Sequence, residues 1–261
     1  MSTPSSVVVH SGAAVLADAA AARLVTHLVD AQSARGGAHL VLTGGTVGIA
    51  VLAALCSSPA RHAVDWQAVD LWWGDERFLP TGDPERNETQ ARAALLDHVR
   101  VNPDRVHAMP ASDGPDVADV DAAAARYADE LARHAGAANR TGVPHFDVLL
   151  LGLGPDAHVA SLFPGQPALY EHDRTVVGVH GSPKPPPLRT SLTMTAINQA
   201  SEVWFVVSGQ DKAPAVMMSM SDAGPVQVPA AGARGRHATR WLLDRAAAAR
   251  IPSGLTRLAS P

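Results

Sequence analysis

The sequence predicts an α/β protein built on a mostly parallel sheet with helices on both faces. Two observations predict it. Short β-branched or apolar runs alternate with alanine-rich segments of helical spacing, the order in which parallel strands and crossover helices follow one another. The chain also has 261 residues, 46% of them hydrophobic and 18% charged, which is ordinary for a globular protein and enough for a sizeable core. Residues 1–261 are therefore read as a single domain.

Taken in order, the strands are SVVVH near the N-terminus, HLVLT (39–43), AVDLWW (68–73), FDVLLL (146–151), RTVVGV (174–179) and EVWFVV (202–207). Each is five or six residues of β-branched, aromatic or aliphatic side chains, too short for a helix and too continuous for a half-exposed strand. The helices are AAVLADAAAARLVTHLVDA, GIAVLAALC, ETQARAALLDHV, VDAAAARYADELARHA and TRWLLDRAAAA, where alanine, leucine and arginine dominate. Loops at 78–86, 110–118 and 181–188 are rich in Pro, Gly and Asp, none long enough for a domain linker, and the chain has no internal repeat.

Composition narrows the partners. A net charge of -4 gives no electrostatic footprint for nucleic acid or an anionic membrane. The N-terminus lacks the basic and apolar stretches of a secretion signal, and no run approaches the roughly 18 apolar residues of a membrane span, so a cytoplasmic protein is expected. The one cysteine, Cys56, lies in the apolar run VLAALC and reads as a buried core thiol rather than a nucleophile. Only two lysines, Lys184 and Lys212, stand against 19 arginines. A lysine kept in such a background points to a need for a compact ammonium, although Lys184, in SPKPPPL, reads as a mobile loop residue.

In a parallel sheet, ligands bind outside the carboxyl ends of the strands, so the loops that follow strands carry the chemistry. GLGPDA, after FDVLLL, has the spacing of a dinucleotide turn, and Asp173 even lies near the distance expected of a ribose-binding acid. The helix such a turn requires is missing, because Pro164, Gly165 and Pro167 interrupt it. One or two turns carrying Asp156 and His158 remain, and a histidine two positions after an acid at a strand's mouth is a candidate general base. TGGTVG (43–48) is a glycine-rich turn ahead of a helix expected from near Val47, able to bind phosphate or merely to meet a tight turn's dihedrals. WWGDERFLPTGDPERN (72–87) places Asp75, Glu76 and Arg77 directly after a strand. Arg189, in PPLRTSLT, and Lys212, in SGQDKAPAV, supply cations at the same rim. No G-x-S-x-G or H-E-x-x-H is present, so serine-nucleophile and zinc-hydrolase chemistry have no support.

These four blocks, in order, resemble the 6-phosphogluconolactonase branch of the family that also holds glucosamine-6-phosphate isomerases. LVLTGGTVG resembles its L-S-G-G-S-T-P loop, WWGDERFLPTGDPERN its W-G-D-E-R block with a later Asn, and GLGPDAHVASLFPG its G-M-G-P-D-G-H-T-A-S-L-F-P. RTSLTMTAINQASEVWFVVSGQDKA resembles its R-x-T-x-T and G-x-x-K-A motifs. The resemblance runs from about Val7 to residue 249 and implies a Rossmann-like fold. It also implies hydrolysis of 6-phosphogluconolactone in the oxidative pentose phosphate pathway, with a sugar-phosphate lactone as partner and no cofactor or metal. His158 would be the base, supported by Asp156; Thr43, Gly44, Gly45, Thr46, Arg189 and Lys212 would hold the sugar phosphate, and Asp75 and Arg77 would face the substrate. Thr43 and Thr46 replace serines, Gly48 a proline, Ala157 a glycine and Val159 a threonine. A monomer is expected, the sequence itself leaving the oligomeric state open.

Two other readings remain. The isomerase branch resembles G-x-G-x-D-G-H-I-A-F-N-E-P with D-E-Y in the second loop, whereas this chain has Ser161, Leu162 and Phe163 with no carboxylate, and Arg77. A non-catalytic phosphosugar sensor would carry a DNA-binding helical segment, and this chain reaches its first strand almost at once.

Overall fold

A computed structural model describes residues 5–115, 119–136, 139–221, 223–252 and 257–258. In chain order the first half runs β1 (Ser5–His10), α1 (Ala13–Arg35), β2 (Ala38–Leu42), α2 (Gly45–Ser57), β3 (Val69–Trp73), β4 (Asp75–Arg77), α3 (Asn87–Ala94) and α4 (Val120–Ala135). The second half runs β5 (Val148–Leu151), β6 (Val176–Val179), β7 (Arg189–Leu192), α5 (Met194–Ile197), β8 (Glu202–Val207), α6 (Ala213–Ser219), α7 (Pro229–Gly232), β9 (Ala238–Asp244) and β10 (Arg257–Leu258).

Seven strands form one sheet in the order β10-β1-β9-β8-β5-β2-β3, and every neighbouring pair is parallel. Strands of such a sheet are covered on both faces, which is why β2, β5, β8 and even the terminal β3 are nearly continuous apolar runs: Leu40, Val41, Leu71, Trp72, Leu149, Leu150, Trp204 and Phe205 are all buried. From β2 the chain steps outward to β3, then returns to place β5 on the other side of β2. The reversal between β2 and β5 is a topological switch point, where a crevice opens at the carboxyl ends. TGGTVG follows β2 and GLGPDAH follows β5.

Three segments differ from expectation. TRWLLDRAAAA is helical by composition, yet Ala238–Asp244 is β9, seated in parallel between β1 and β8. Helix propensity loses to packing here: Trp241 stacks flat on Phe205 of β8, centroids 3.8 Å apart, and WLLD is buried throughout. RTVVGV does form a strand, but β6 lies in a separate antiparallel sheet of order β4-β7-β6, and neither three-residue β4 nor four-residue β7 reads as a strand in the sequence. The helix expected over 88–99 ends at Ala94, giving way to a 3-10 turn over Leu96–His98.

The helix VDAAAARYADELARHA forms over its full length as α4 and buries Val120, Ala123, Ala124, Tyr127 and Leu131 along one stripe. His107 pins it. The imidazole bridges Asp70 of β3 (2.9 Å) and Glu130 of α4 (3.0 Å) while stacking on Trp72 at 3.8 Å. His107, Glu130 and His134 bring three potential metal-ligand atoms within 4.8 Å, but these side chains already bond one another, Asp70, Arg133 and the α4 backbone. Cys56 is half-buried at the edge of the core, not inside it. No described helix is long and apolar enough to cross a membrane.

Candidate active site

The crevice at the switch point holds a cavity of about 270 Å³. Thr43, Gly44, Gly45, Asp75, Arg77, His158, Arg189 and Lys212 line it, so strand ends far apart in sequence deliver eight of the ten expected residues to one place. Asp156 joins them through His158. Thr46 does not: it is exposed and lines an adjoining cavity of about 510 Å³, which shares Gly44, Gly45, Gly152, Leu153 and Lys212 with the first.

The segment after β5 carries no helical turn. A turn at Pro155–Asp156 is closed by the Ala157 N–H donating to the Gly154 carbonyl at 2.9 Å, and the Gly154 N–H donates to the His158 carbonyl at 3.0 Å. This reversal folds the His158 ring back onto Asp156, with Nδ1 2.5 Å from Oδ1. Burial works to raise the Asp156 carboxyl, but the hydrogen bond and charge of His158, with backbone N–H groups, outweigh it and bring it down to about 2. An ionised Asp156 holds the proton on Nδ1 and leaves the lone pair on Nε2. The ring packs against Phe163, centroids 4.4 Å apart. Ala157, fully buried, has φ +64°, the left-handed backbone that the family's glycine adopts more easily.

The TGGT turn is tied to the same loop: the Gly152 N–H donates to Thr43 Oγ1 at 3.4 Å. α2 starts at Gly45, inside the turn, so its positive end faces the cavity two residues earlier than expected. Across the crevice, Asp75 Oδ2 accepts from Ser161 Oγ at 2.7 Å, joining β4 to the histidine loop. Glu76 points the other way. Its carboxylate takes the N–H groups of Arg77, Asn87 and Glu88 at 2.7 to 2.9 Å and fixes the start of α3. Burial pushes this carboxyl up to about 7 against the pull of Arg86 and those N–H groups.

Two polar side chains of the cavity were not expected there. Lys184, read as a mobile loop residue, is half-buried in the lining. Arg189, only 6% exposed, explains it: Nη2 donates to the carbonyls of Lys184 (3.1 Å) and Pro185 (3.0 Å), and Nε to that of Pro186 (3.2 Å). The guanidinium thus holds the proline-rich loop over the cavity. Burial lowers the Lys184 ammonium, with Lys212 and Arg189 adding to the effect against Asp156 and Asp211. The scarcity of lysine was the available signal. The second is Asn87, visible in sequence only as the later Asn of the WWGDER block.

A switch-point crevice with a glycine-rich helix start, a histidine–aspartate pair and clustered cations defines an α/β enzyme for a small anionic substrate. Comparison with known proteins narrows the class. The chain belongs to the family described as glucosamine-6-phosphate isomerases/6-phosphogluconolactonase, whose model matches residues 11–241. It is 62% identical over 255 residues to a 6-phosphogluconolactonase of Streptomyces coelicolor, covering 98% of each chain. It is 51% identical over 249 residues to that of Mycobacterium tuberculosis, covering 95% of this chain and 99% of the other. The solved 6-phosphogluconolactonase of Trypanosoma brucei superposes with a TM-score of 0.81 at 28% identity, over 96% of this chain and 100% of that one. A monomeric glucosamine-6-phosphate deaminase superposes with a TM-score of 0.73 at 20% identity, over 93% of this chain and 99% of that one, a likeness of fold alone.

Proposed function

We propose that the protein hydrolyses 6-phospho-D-glucono-1,5-lactone to 6-phosphogluconate, a step of the oxidative pentose phosphate pathway, with His158 as general base. The observation that carries this reading is the 2.5 Å contact between His158 Nδ1 and Asp156 Oδ1, which leaves Nε2 basic at the cavity. Nε2 takes a proton from water as the water oxygen bonds to the lactone carbonyl carbon. The tetrahedral species then collapses, the bond from that carbon to the ring oxygen breaks, and the imidazolium returns its proton to the departing oxygen. The carboxylic acid formed ionises in solvent.

Lys212, Lys184 and the start of α2 supply the positive field for the phosphate, with Arg189 holding Lys184 in place. Binding energy taken at the phosphate orients the remote carbonyl against the water. Isomerisation is disfavoured. In AHVASLFP the residue that could act beside His158 is Ser161, and its hydroxyl is committed to Asp75, while Leu162 and Phe163 are buried.

The test is hydrolysis of 6-phosphogluconolactone corrected for spontaneous opening. Activity that vanishes in His158→Ala supports the reading, and purified wild-type protein that adds nothing to the spontaneous rate overturns it.

A further inference from the structure

Asn87 is the first residue of α3 and only 2% exposed, yet its side-chain oxygen has no hydrogen-bond partner among the described residues. Buried acceptors are almost always paired, so one that lines a substrate cavity calls for a donor from the ligand. We propose that the Asn87 carboxamide oxygen accepts a hydrogen bond from a ring hydroxyl of the bound lactone. This rests on the lactonase reading above.

The orientation of the carboxamide is fixed from three sides. Nδ2 donates to the Asp75 carbonyl at 2.8 Å and faces Asp75 Oδ1 at 3.5 Å, so turning the amide over would set its oxygen against two acceptors. The backbone cannot move away, because the Asn87 N–H is held by Glu76 at 2.7 Å. Gly44 leaves the room: a Cβ there would lie 1.9 Å from Asn87 Oδ1. The first glycine of TGGT therefore serves a close approach by Asn87 besides its place at the start of α2.

The oxygen can only accept. A phosphate dianion is an acceptor too and gains nothing from it, whereas a hydroxyl donates.

The experiment compares 6-phosphogluconolactone with its 2-deoxy, 3-deoxy and 4-deoxy analogues on wild type and Asn87→Ala, reading kcat and KM separately and folding by circular dichroism. For wild type, removing the hydroxyl that Asn87 reads should lower kcat/KM about tenfold or more, the scale of one neutral hydrogen bond. For Asn87→Ala that same analogue and the parent should differ by less than about threefold, while the other analogues keep their wild-type ratios. If Asn87→Ala does not fold, the side-chain amide resonance of wild-type Asn87 serves instead, and it should shift with 6-phosphogluconate and not with one deoxy product. Equal losses on all four lactones, or an amide resonance indifferent to the hydroxyl pattern, overturn the assignment of Asn87 while leaving lactonase activity standing. Absence of wild-type activity on the parent lactone overturns the functional reading itself.

Discussion

A Cβ added to Gly154 would lie 2.0 Å from Nδ1 of His158 and 2.4 Å from Oδ1 of Asp156. The glycine that imitates a dinucleotide turn in the sequence thus makes space for a histidine–aspartate pair. Gly154→Ala should displace the imidazole and lower kcat by about 10² or more with KM changed far less, since misplacing a catalytic group by an ångström has that scale of effect. Near-normal kcat in a folded Gly154→Ala protein would detach this glycine from the site.

His158→Ala should lower kcat by roughly 10² to 10⁴, the contribution of a positioned acid–base group. Asp156→Asn probes the pair differently. The Asp156 carboxyl sits at about 2, so its charge persists across any assay pH, and Asp156→Asn, which removes that charge from Nδ1, should lower kcat by about 10² or more. An Asp156→Asn protein with near-normal kcat at about pH 8 would contradict this.

For the cations, Lys212→Ala should reduce kcat/KM for the phosphorylated lactone by about 10 to 10², the range of one charge-assisted contact, and leave the unphosphorylated lactone almost unaffected. Lys184→Ala should behave alike. Lys212→Arg should not restore full activity, because a planar fork replaces a compact ammonium beside Arg189. Equal effects on both lactones would refute a shared phosphate site.

Ala157 gives a prediction whose sign depends on magnitudes. Ala157→Gly relieves a left-handed backbone worth about 1–2 kcal/mol, but adds unfolded-chain entropy of about 0.5–1 and removes a buried methyl worth about 0.8. The terms nearly cancel, so urea unfolding should find it within about 1 kcal/mol of wild type. Ala157→Val puts a branched side chain at φ +64° and should be clearly destabilised. A Val variant as stable as the Gly variant would rule out the strain.

Glu76 predicts a pH dependence of stability. Its folded carboxyl, at about 7, lies above the ordinary 4.5, so the folded state holds the proton more tightly. The contribution is fully present below about 4.5 and is lost as pH rises to about 7. Glu76→Gln should flatten that slope and cost about 1–3 kcal/mol, because its amide confronts one of the three N–H groups of Arg77, Asn87 and Glu88. Parallel stability profiles for the two proteins would remove Glu76 as the source.

The sequence by itself determined the alternation of strand and helix, the full span of α4, the four loops that carry chemistry, and the family through the ordered blocks TGGT, WWGDER, GLGPDAH and SGQDKA. These were legible because periodicity and turn chemistry act over a few residues. Tertiary structure alone decided the rest. TRWLLD becomes a strand because burial between β1 and β8 outweighs its local helix propensity. Lys184 belongs to the cavity because Arg189, five residues on, bonds the carbonyls that shape its loop. Asn87 meets Gly44 because Glu76 holds the start of α3 against β4, and no spacing along the chain records a contact between residues 43 positions apart.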